Sequence, residues 1–184
     1  MPSPKYYGSL CGMRFSWLYL PDFLVCALVY YYYILPNIRK KTRYKKILYT
    51  VFYVYLCTVL FFTLMPVAMQ LPQLLEGYHS SINWELFRDW KHLYGDYRME
   101  IIYNVLLFVP FGFLHQQLFR SRYRTTLLLG FLFSLCIELI QPLLSYTRIA
   151  DVTDLFDNTV GTLIGIIAWH LIHYFIENLK LRNQ

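Results

Sequence analysis

The sequence predicts an all-α integral membrane protein, a bundle of about five transmembrane helices that forms one multi-pass domain over residues 1–184. Hydrophobic residues make up 57% of the chain and charged residues only 15%, whereas soluble domains carry about 25% charged residues. Apolar runs of about 17 to 25 residues, long enough to cross a bilayer, also recur between short polar pieces. Both observations favour a membrane protein.

Five apolar runs have the length that a bilayer requires. They are residues 18–36, 47–65, 101–119, 126–145 and 157–176. The first run could belong to a signal peptide, because Lys5 and Arg14 precede it. It has full spanning length, however, and no small-residue cleavage site follows it, so we expect a retained first helix.

The basic residues predict how these helices are oriented, since short cytoplasmic loops of membrane proteins are rich in Lys and Arg. Two loops carry most of them, with Arg39, Lys40, Lys41, Arg43, Lys45 and Lys46 in the first and Arg120, Arg122 and Arg124 in the second. We therefore expect the N-terminus outside the cell, the C-terminus in the cytoplasm, and residues 66–100 and 146–156 outside. The basic residues of the N-terminal tail fit less well, and an even number of spans would accommodate them.

The net charge of +6 could also indicate a nucleic-acid-binding protein. The basic residues lie beside the apolar runs, where they act as topology signals. The sequence therefore predicts the lipid bilayer as a partner and no nucleic acid.

The segment 66–100 is the longest stretch outside the apolar runs. Its aromatic residues lie three or four apart, a spacing that gives a helix an aromatic stripe. They are Trp84, Phe87, Trp90, Tyr94 and Tyr97. Such a helix would lie at the outer membrane interface, where aromatic rings are favoured. Two interpretations remain open: a connecting loop with interfacial aromatic residues, or a lid over a site on the outer face.

Polar residues interrupt the third and fourth apolar runs near the predicted outer face. A carboxylate facing lipid is costly, so Glu138 should face the bundle interior or a water-filled cavity. Gln141, three residues later, shares its helix face. Asn104 lies near the outer end of the third run and is a candidate partner for the carboxylates. Pro110 and Gly112 follow near the middle of that run, where proline bends a helix.

The start of the fifth run carries further polar residues at helical spacing. Asp151, Asp154 and Asn158 align with Gly161 and Gly165 on one helix stripe. The two glycines form a G-x-x-x-G pattern, which lets a membrane helix approach its neighbour closely. Asp151 could alternatively do no more than cap the N-terminus of this helix.

These residues together predict a polar pocket on the outer face. Its members are Asn104, Glu138, Gln141, Arg148, Asp151, Asp154 and Asn158. Hard oxygen ligands suit Mg²⁺ or Ca²⁺, so a divalent cation held by Asp151, Asp154 and Glu138 is one hypothesis. Asp157 is expected to be a solvated neighbour outside the pocket. Familiar hydrolase and nucleotide-binding motifs are absent from the sequence, so catalytic residues stay unassigned.

The order and spacing of these residues resemble the VanZ-like family. The resemblance rests on N-x-x-x-F-x-P-F-G at 104–112, E-x-x-Q at 138–141 and R-x-x-D-x-x-D-x-x-x-N-x-x-G at 148–161. It implies a small multi-pass bacterial membrane protein associated with resistance to teicoplanin and related lipoglycopeptides. Asp157 falls outside the family pattern, and Thr162 stands where members often have a second glycine.

Three functions are compatible with the sequence and the resemblance. The first is a cell-envelope protein whose outward-facing acidic pocket, between the third, fourth and fifth helices, engages a lipid-linked cell-wall precursor or a lipoglycopeptide and lowers teicoplanin susceptibility. The second is an intramembrane enzyme that acts on a lipid-linked, phosphate-containing cell-wall precursor through acid–base or metal chemistry. The third is a small transporter or a structural membrane partner.

Overall fold

The computed structural model describes residues 17–76, 82–93, 96–144 and 148–182, without the side chains of residues 73–76. Within these ranges the chain forms seven helices. They are α1 (Trp17–Ile38), α2 (Arg43–Thr63), α3 (Val67–Glu76), α4 (Arg88–His92), α5 (Tyr97–Phe119), α6 (Tyr123–Leu144) and α7 (Val152–Arg182). The expectations that rest on Lys5, Arg14 and Tyr94 lie outside the described residues.

Five of these helices are long and apolar enough to cross a membrane: α1, α2, α5, α6 and α7. Each of the five corresponds to one of the apolar runs of the sequence, although α2 ends at Thr63, two residues before its run does. At 31 residues, α7 is longer than its apolar run, because acidic residues extend its beginning and basic residues extend its end. The predicted all-α membrane bundle with five spanning helices is therefore confirmed.

The closest helix pair in the bundle is α5 and α7. Gly161 and Gly165 in α7 lie so near α5 that an added Cβ would collide with the carbonyl oxygens of Val105 and Val109. Gly112 in α5 makes the matching close approach to α7. Small residues allow membrane helices to pack backbone against backbone, which is how this pair is held.

A hydrophobic core joins α2, α5 and α6 around the buried side chains of Val59, Phe108, Phe111 and Ile137. Pro110 lies within α5, and the helix continues through it. The helix α6 also packs against α7 and α3. At the edge of the bundle lies α1, in which Asp22 and Ile38 are the only buried residues.

The segment 66–100 does not form the single helix with an aromatic stripe that its spacing suggested. The structure divides it between α3, the five-residue helix α4 and the first turn of α5. Phe87 and Leu93, at either end of α4, adopt left-handed backbone conformations with φ of 57° and 54°. A left-handed residue ends an α-helix, so the aromatic residues cannot share one continuous stripe.

The two loops rich in basic residues lie at the same end of the bundle, which we call the basic end. Gln117 near the end of α5 donates a hydrogen bond of 2.5 Å to the hydroxyl of Tyr44 near the start of α2. Tyr49 and Phe119 pack edge to face beside them. The positive-inside rule predicts that the basic end is cytoplasmic and that the opposite end is outside.

Candidate functional site

The carboxylate of Asp151 lies at the start of α7, at the end of the bundle opposite the basic end. Its Oδ1 accepts a hydrogen bond of 2.8 Å from the backbone N–H of Thr153. This is the capping interaction that satisfies a free N–H in the first turn of a helix. Its Oδ2 accepts a second hydrogen bond of 2.9 Å from the side-chain amide of Asn83. Both oxygens of the Asp151 carboxylate are therefore hydrogen-bonded.

The residues 82–87, which we call the strap, lie across the start of α7. The backbone N–H of Asn83 donates to the carbonyl of Ala150 at 2.9 Å, and Val152 N–H donates to the carbonyl of Asn83 at 3.2 Å. Phe87 N–H donates to the hydroxyl of Thr153 at 3.0 Å. The strap is thus held to α7 mainly through its backbone.

Glu138 of α6 completes this arrangement from the opposite side. Its Oε2 accepts a hydrogen bond of 3.1 Å from the backbone N–H of Asp151. Both residues are buried, with 4% of Glu138 and 6% of Asp151 exposed. The carboxylate of Glu138 is therefore oriented toward the start of α7, as its position in the fourth apolar run had suggested.

Two further polar pairs connect α7 with its neighbours. Asn104 in α5 donates a hydrogen bond of 2.8 Å to Oδ1 of Asp154. One turn further along α7, Asn158 donates to the hydroxyl of Ser134 in α6 at 2.9 Å. Asp154 and Asn158 are four residues apart, so they lie on one side of the helix and can reach the two neighbouring helices.

The side chains of Gln141 and Arg148 both reach the end of α2. Both donate to the backbone carbonyl of Thr63, Gln141 at 3.4 Å and Arg148 through its Nη1. A carbonyl in the last turn of a helix has no partner within that helix, so it is available to side chains. In a continuous helix the N–H of Val67, four positions after Thr63, would bond this carbonyl. It donates to the carboxylate of Asp22 at 3.0 Å instead.

Arg148 is a partly buried cation in the connection between α6 and α7. Burial lowers the pKa of its guanidinium below the ordinary value, while the charge of Glu138 acts in the opposite direction. Guanidinium groups remain protonated in proteins despite such shifts. Arg148 therefore contributes positive charge beside the acidic start of α7.

A small cavity lies between the strap, α4, α5 and α7. Its volume is about 20 Å³, which is room for about one water molecule or one small cation. Five carboxylate side chains line it: Asp89, Glu100, Asp151, Asp154 and Asp157. Three aromatic side chains, Phe87, Trp90 and Tyr97, complete most of the remaining wall. We call this cavity the acidic cavity.

The expectation that Asp157 is solvated is wrong, because only 3% of this residue is exposed. Asp157 precedes Gly161 by four residues, so it continues the stripe of α7 that packs against α5. Among the described residues, its buried Oδ2 has no hydrogen-bond partner. A buried carboxylate oxygen without a partner is costly, which makes Asp157 the most unusual group in the wall of the acidic cavity.

The structure therefore brings the predicted pocket residues together only in part. Asp151 and Asp154 line the acidic cavity, and Asn104 and Glu138 are each one hydrogen bond away from them. Gln141 and Asn158 form separate contacts, whereas Arg148 bonds Thr63 and lies near enough to Glu138 for the two charges to interact.

The candidate metal ligands do not form a metal site in the described part of the chain. No group of three His, Cys, Asp or Glu side chains there is arranged to hold a metal ion. Both carboxylate oxygens of Asp151, and one oxygen each of Asp154 and Glu138, accept hydrogen bonds from Asn83, Asn104 or backbone N–H groups instead. These three residues do not fit a divalent cation.

Among the residues of the site that the sequence did not predict are Asn83, Asp89, Glu100 and Asp157. Asn83 contacts Asp151 from 68 positions away in the chain, and no periodic pattern connects such distant positions. Asp157 could have been found, since it is four residues from Gly161 and eight from Gly165. The charge of Asp157, considered without its position relative to the two glycines, led to the prediction that its side chain is exposed to solvent.

Five apolar helices, with buried carboxylates and amides gathered at one end, define a multi-pass membrane protein with a polar site at a membrane face. The family model for VanZ/LLP1 matches residues 51–173, more than half of the 184-residue chain. The chain therefore belongs to the VanZ/LLP1 family. Comparison with curated proteins and with solved structures gives no match. The matched region includes the strap and every predicted pocket residue.

Proposed function

We propose that this VanZ-like protein binds a cationic group in the acidic cavity and thereby lowers the susceptibility of a bacterial host to teicoplanin and related lipoglycopeptides. The observation that carries the proposal is Asp157, whose buried Oδ2 lacks a hydrogen-bond partner in the described structure while four other carboxylates line the same cavity. A bound cation would supply the missing partner and offset the repulsion between the carboxylates. The link to teicoplanin comes from the association of the family's namesake.

The dimensions of the cavity restrict the group that it can take. A volume of about 20 Å³ accommodates the head of a primary ammonium group but no larger part of a ligand. The ammonium group would donate to carboxylates, and the rings of Phe87, Trp90 and Tyr97 would add cation–π attraction. A lipid-linked cell-wall precursor or a lipoglycopeptide that presents a primary amine would satisfy these requirements.

The position of the cavity also fits a partner in the cell envelope. The cavity lies at the start of α7, away from the basic end. If the basic end is cytoplasmic, as the positive-inside rule predicts, the cavity opens toward the outer face. Lipid-linked cell-wall precursors and lipoglycopeptides meet at this face.

The proposal can be tested by replacing Asp157 with asparagine, which keeps the size of the side chain but removes its charge. A host that produces the protein should require a higher teicoplanin concentration for growth inhibition than a host without it. The Asp157→Asn variant, at an equal amount in the membrane, should lose most of this protection.

Glu177→Gln is the matched control, because Glu177 is exposed on the same helix near the basic end. It removes one negative charge far from the acidic cavity and should leave protection intact. Full protection by Asp157→Asn, or equal losses in both variants, would exclude the acidic cavity from the mechanism.

Two residues of the predicted pocket have contacts that indicate a structural role and not a binding role. Asn158 connects α7 to α6, and Gln141 connects α6 to the end of α2. Polar contacts of this kind contribute about 0.6 kcal/mol on average in membrane proteins. We infer that these two residues fix the positions of the helices around the cavity. Asn158→Ala and Gln141→Ala should therefore lower the unfolding temperature in detergent and leave teicoplanin protection close to that of the wild type.

A further inference from the structure

A second cavity, of about 320 Å³, lies between α1 and α2 near the basic end. Its size is within the range of about 300 to 1,000 Å³ that is typical of small-molecule sites. Ile38 and Ile47 contribute to an apolar wall, while Arg39 and Lys46 bring two positive charges to the same groove. We call this cavity the basic groove.

The backbone of α1 helps to explain why the groove exists. Residues Tyr30–Ile34 form a π-helical stretch, in which the N–H of Leu35 donates to the carbonyl of Tyr30. Pro36 follows directly and has no N–H to donate, which disfavours a regular α-helical turn here. The wider turn changes the direction of the side chains that follow, so α1 and α2 do not close on each other along this length.

One polar contact fixes the wall of the groove that lies deeper in the bundle. The hydroxyls of Tyr30 and Thr50 share a hydrogen bond of 2.8 Å between α1 and α2. Both residues line the groove. The separation of the two helices is therefore set by a specific contact between them.

The charges at the groove have no acidic partner within the described chain. The ion pair between Lys91 and Glu85 lies elsewhere, at the strap and α4. Arg39 and Lys46 both present exposed side chains. Two exposed cations beside an apolar groove, near one end of the spanning helices, complement an anionic phospholipid.

We propose that the basic groove binds one anionic phospholipid. Its phosphate contacts Arg39 and Lys46, and an acyl chain lies along Ile47 and Val51 of α2. Arginine and lysine both donate to phosphate oxygens, arginine in a bidentate fork. This site is independent of the acidic cavity, since it lies at the other end of the bundle and takes a ligand of opposite charge.

A basic loop attracts anionic lipids even without a specific site, by about 1 kcal/mol per charge. The test must therefore separate a groove from diffuse attraction. Purified full-length protein in detergent would be titrated with phosphatidylglycerol or with phosphatidylcholine, and bound lipid would be counted by native mass spectrometry. The wild-type protein should retain one phosphatidylglycerol molecule and bind phosphatidylcholine much more weakly.

The Arg39→Gln/Lys46→Gln variant should bind phosphatidylglycerol about tenfold more weakly or worse. Lys40→Gln/Lys45→Gln is the matched control, because it removes the same charge from the same loop, and neither residue lines the groove. Because both variants lose the same diffuse attraction, the control should retain an affinity about tenfold higher than that of the Arg39→Gln/Lys46→Gln variant. Equal losses in the two variants, or equal binding of both lipids by the wild type, would overturn the proposal.

A second variant that keeps both charges allows the proposal to be tested even if the double variant does not fold. Ile47→Trp fills part of the groove, and Ile47 is an exposed residue whose replacement leaves the hydrophobic core unchanged. It should also weaken phosphatidylglycerol binding while the unfolding temperature without lipid stays the same. Unchanged binding by Ile47→Trp would show that the groove is not the site.

Discussion

The backbone N–H of Asp151 donates to the carboxylate of Glu138 at 3.1 Å, so two acidic residues from different helices are held together by a direct hydrogen bond. This arrangement is stable because the two groups play different parts. Asp151 offers its N–H to Glu138, while its own carboxylate is turned toward Thr153 N–H and Asn83. The positive end of the α7 dipole also favours negative charge at this place.

Asn83 should contribute strongly to stability, because its side chain bonds both the carboxylate of Asp151 and the backbone N–H of Glu85. Asn83→Ala would leave a buried carboxylate oxygen with one partner fewer. We expect a loss of about 1 to 3 kcal/mol in the free energy of unfolding. Thermal and denaturant unfolding in detergent would measure it.

Asn37→Ala is the control for this prediction. Asn37 is exposed and bonds only the carbonyl of Tyr33 within its own helix. Its replacement should change the free energy of unfolding by no more than about 0.5 kcal/mol. Equal effects of the two substitutions would mean that the strap does not stabilise the start of α7.

Asn104 and Asp154 should be energetically coupled, since they form a direct hydrogen bond between α5 and α7. A double-mutant cycle with Asn104→Ala and Asp154→Ala should give a coupling of about 0.5 to 2 kcal/mol in the free energy of unfolding. A second cycle would pair Asn104→Ala with Glu177→Gln, near the far end of α7. That cycle should be additive within about 0.5 kcal/mol, and a coupling of the first pair below this value would contradict the contact.

The close packing of α5 and α7 predicts that Gly161 cannot be enlarged. A Cβ at this position meets the carbonyl of Val105, and a backbone group cannot move aside as a side chain can. Gly161→Val should therefore cost about 3 kcal/mol or more, at or above the upper end of ordinary overpacking. The yield of folded monodisperse protein and its unfolding temperature in detergent would report the effect.

Leu163→Phe provides the comparison, because Leu163 lies on an exposed face of the same helix. It adds volume toward lipid and should leave both measurements close to those of the wild type. A tolerated Gly161→Val would show that α5 and α7 lie further apart than the structure places them.

Apolar run length and positional spacing predicted the five spanning helices and placed Asn104, Asp151 and Asp154 near one another. These features are local in the chain, and helix geometry converts them directly into shared faces. The partners of Gln141 and Arg148 could not be predicted in this way. Both bind the backbone carbonyl of Thr63, and every helix end offers such a carbonyl whatever its side chains are.

Asp157 shows why charge alone is a weak guide to burial in a membrane protein. Its position on the face that packs against α5 follows from spacing, whereas its carboxylate favours water. Helix packing determines that Asp157 is buried. Gly161 and Gly165 bring α7 against α5, and Asp157, four positions before Gly161, lies in the same interface. A carboxylate kept in such a place at a cost in stability is typical of functional sites.

This cost leads to a prediction about the protein without ligand. Asp157→Asn replaces a buried charge with a neutral amide of the same shape, and the amide is cheaper to bury. At neutral pH the substitution should therefore raise the free energy of unfolding in detergent by about 1 kcal/mol or more. Glu177→Gln, at an exposed position of the same helix, should stay within about 0.5 kcal/mol of the wild type. Stabilisation by Asp157→Asn together with loss of teicoplanin protection would separate binding from folding, whereas destabilisation would mean that the carboxylate serves as a structural partner in α7.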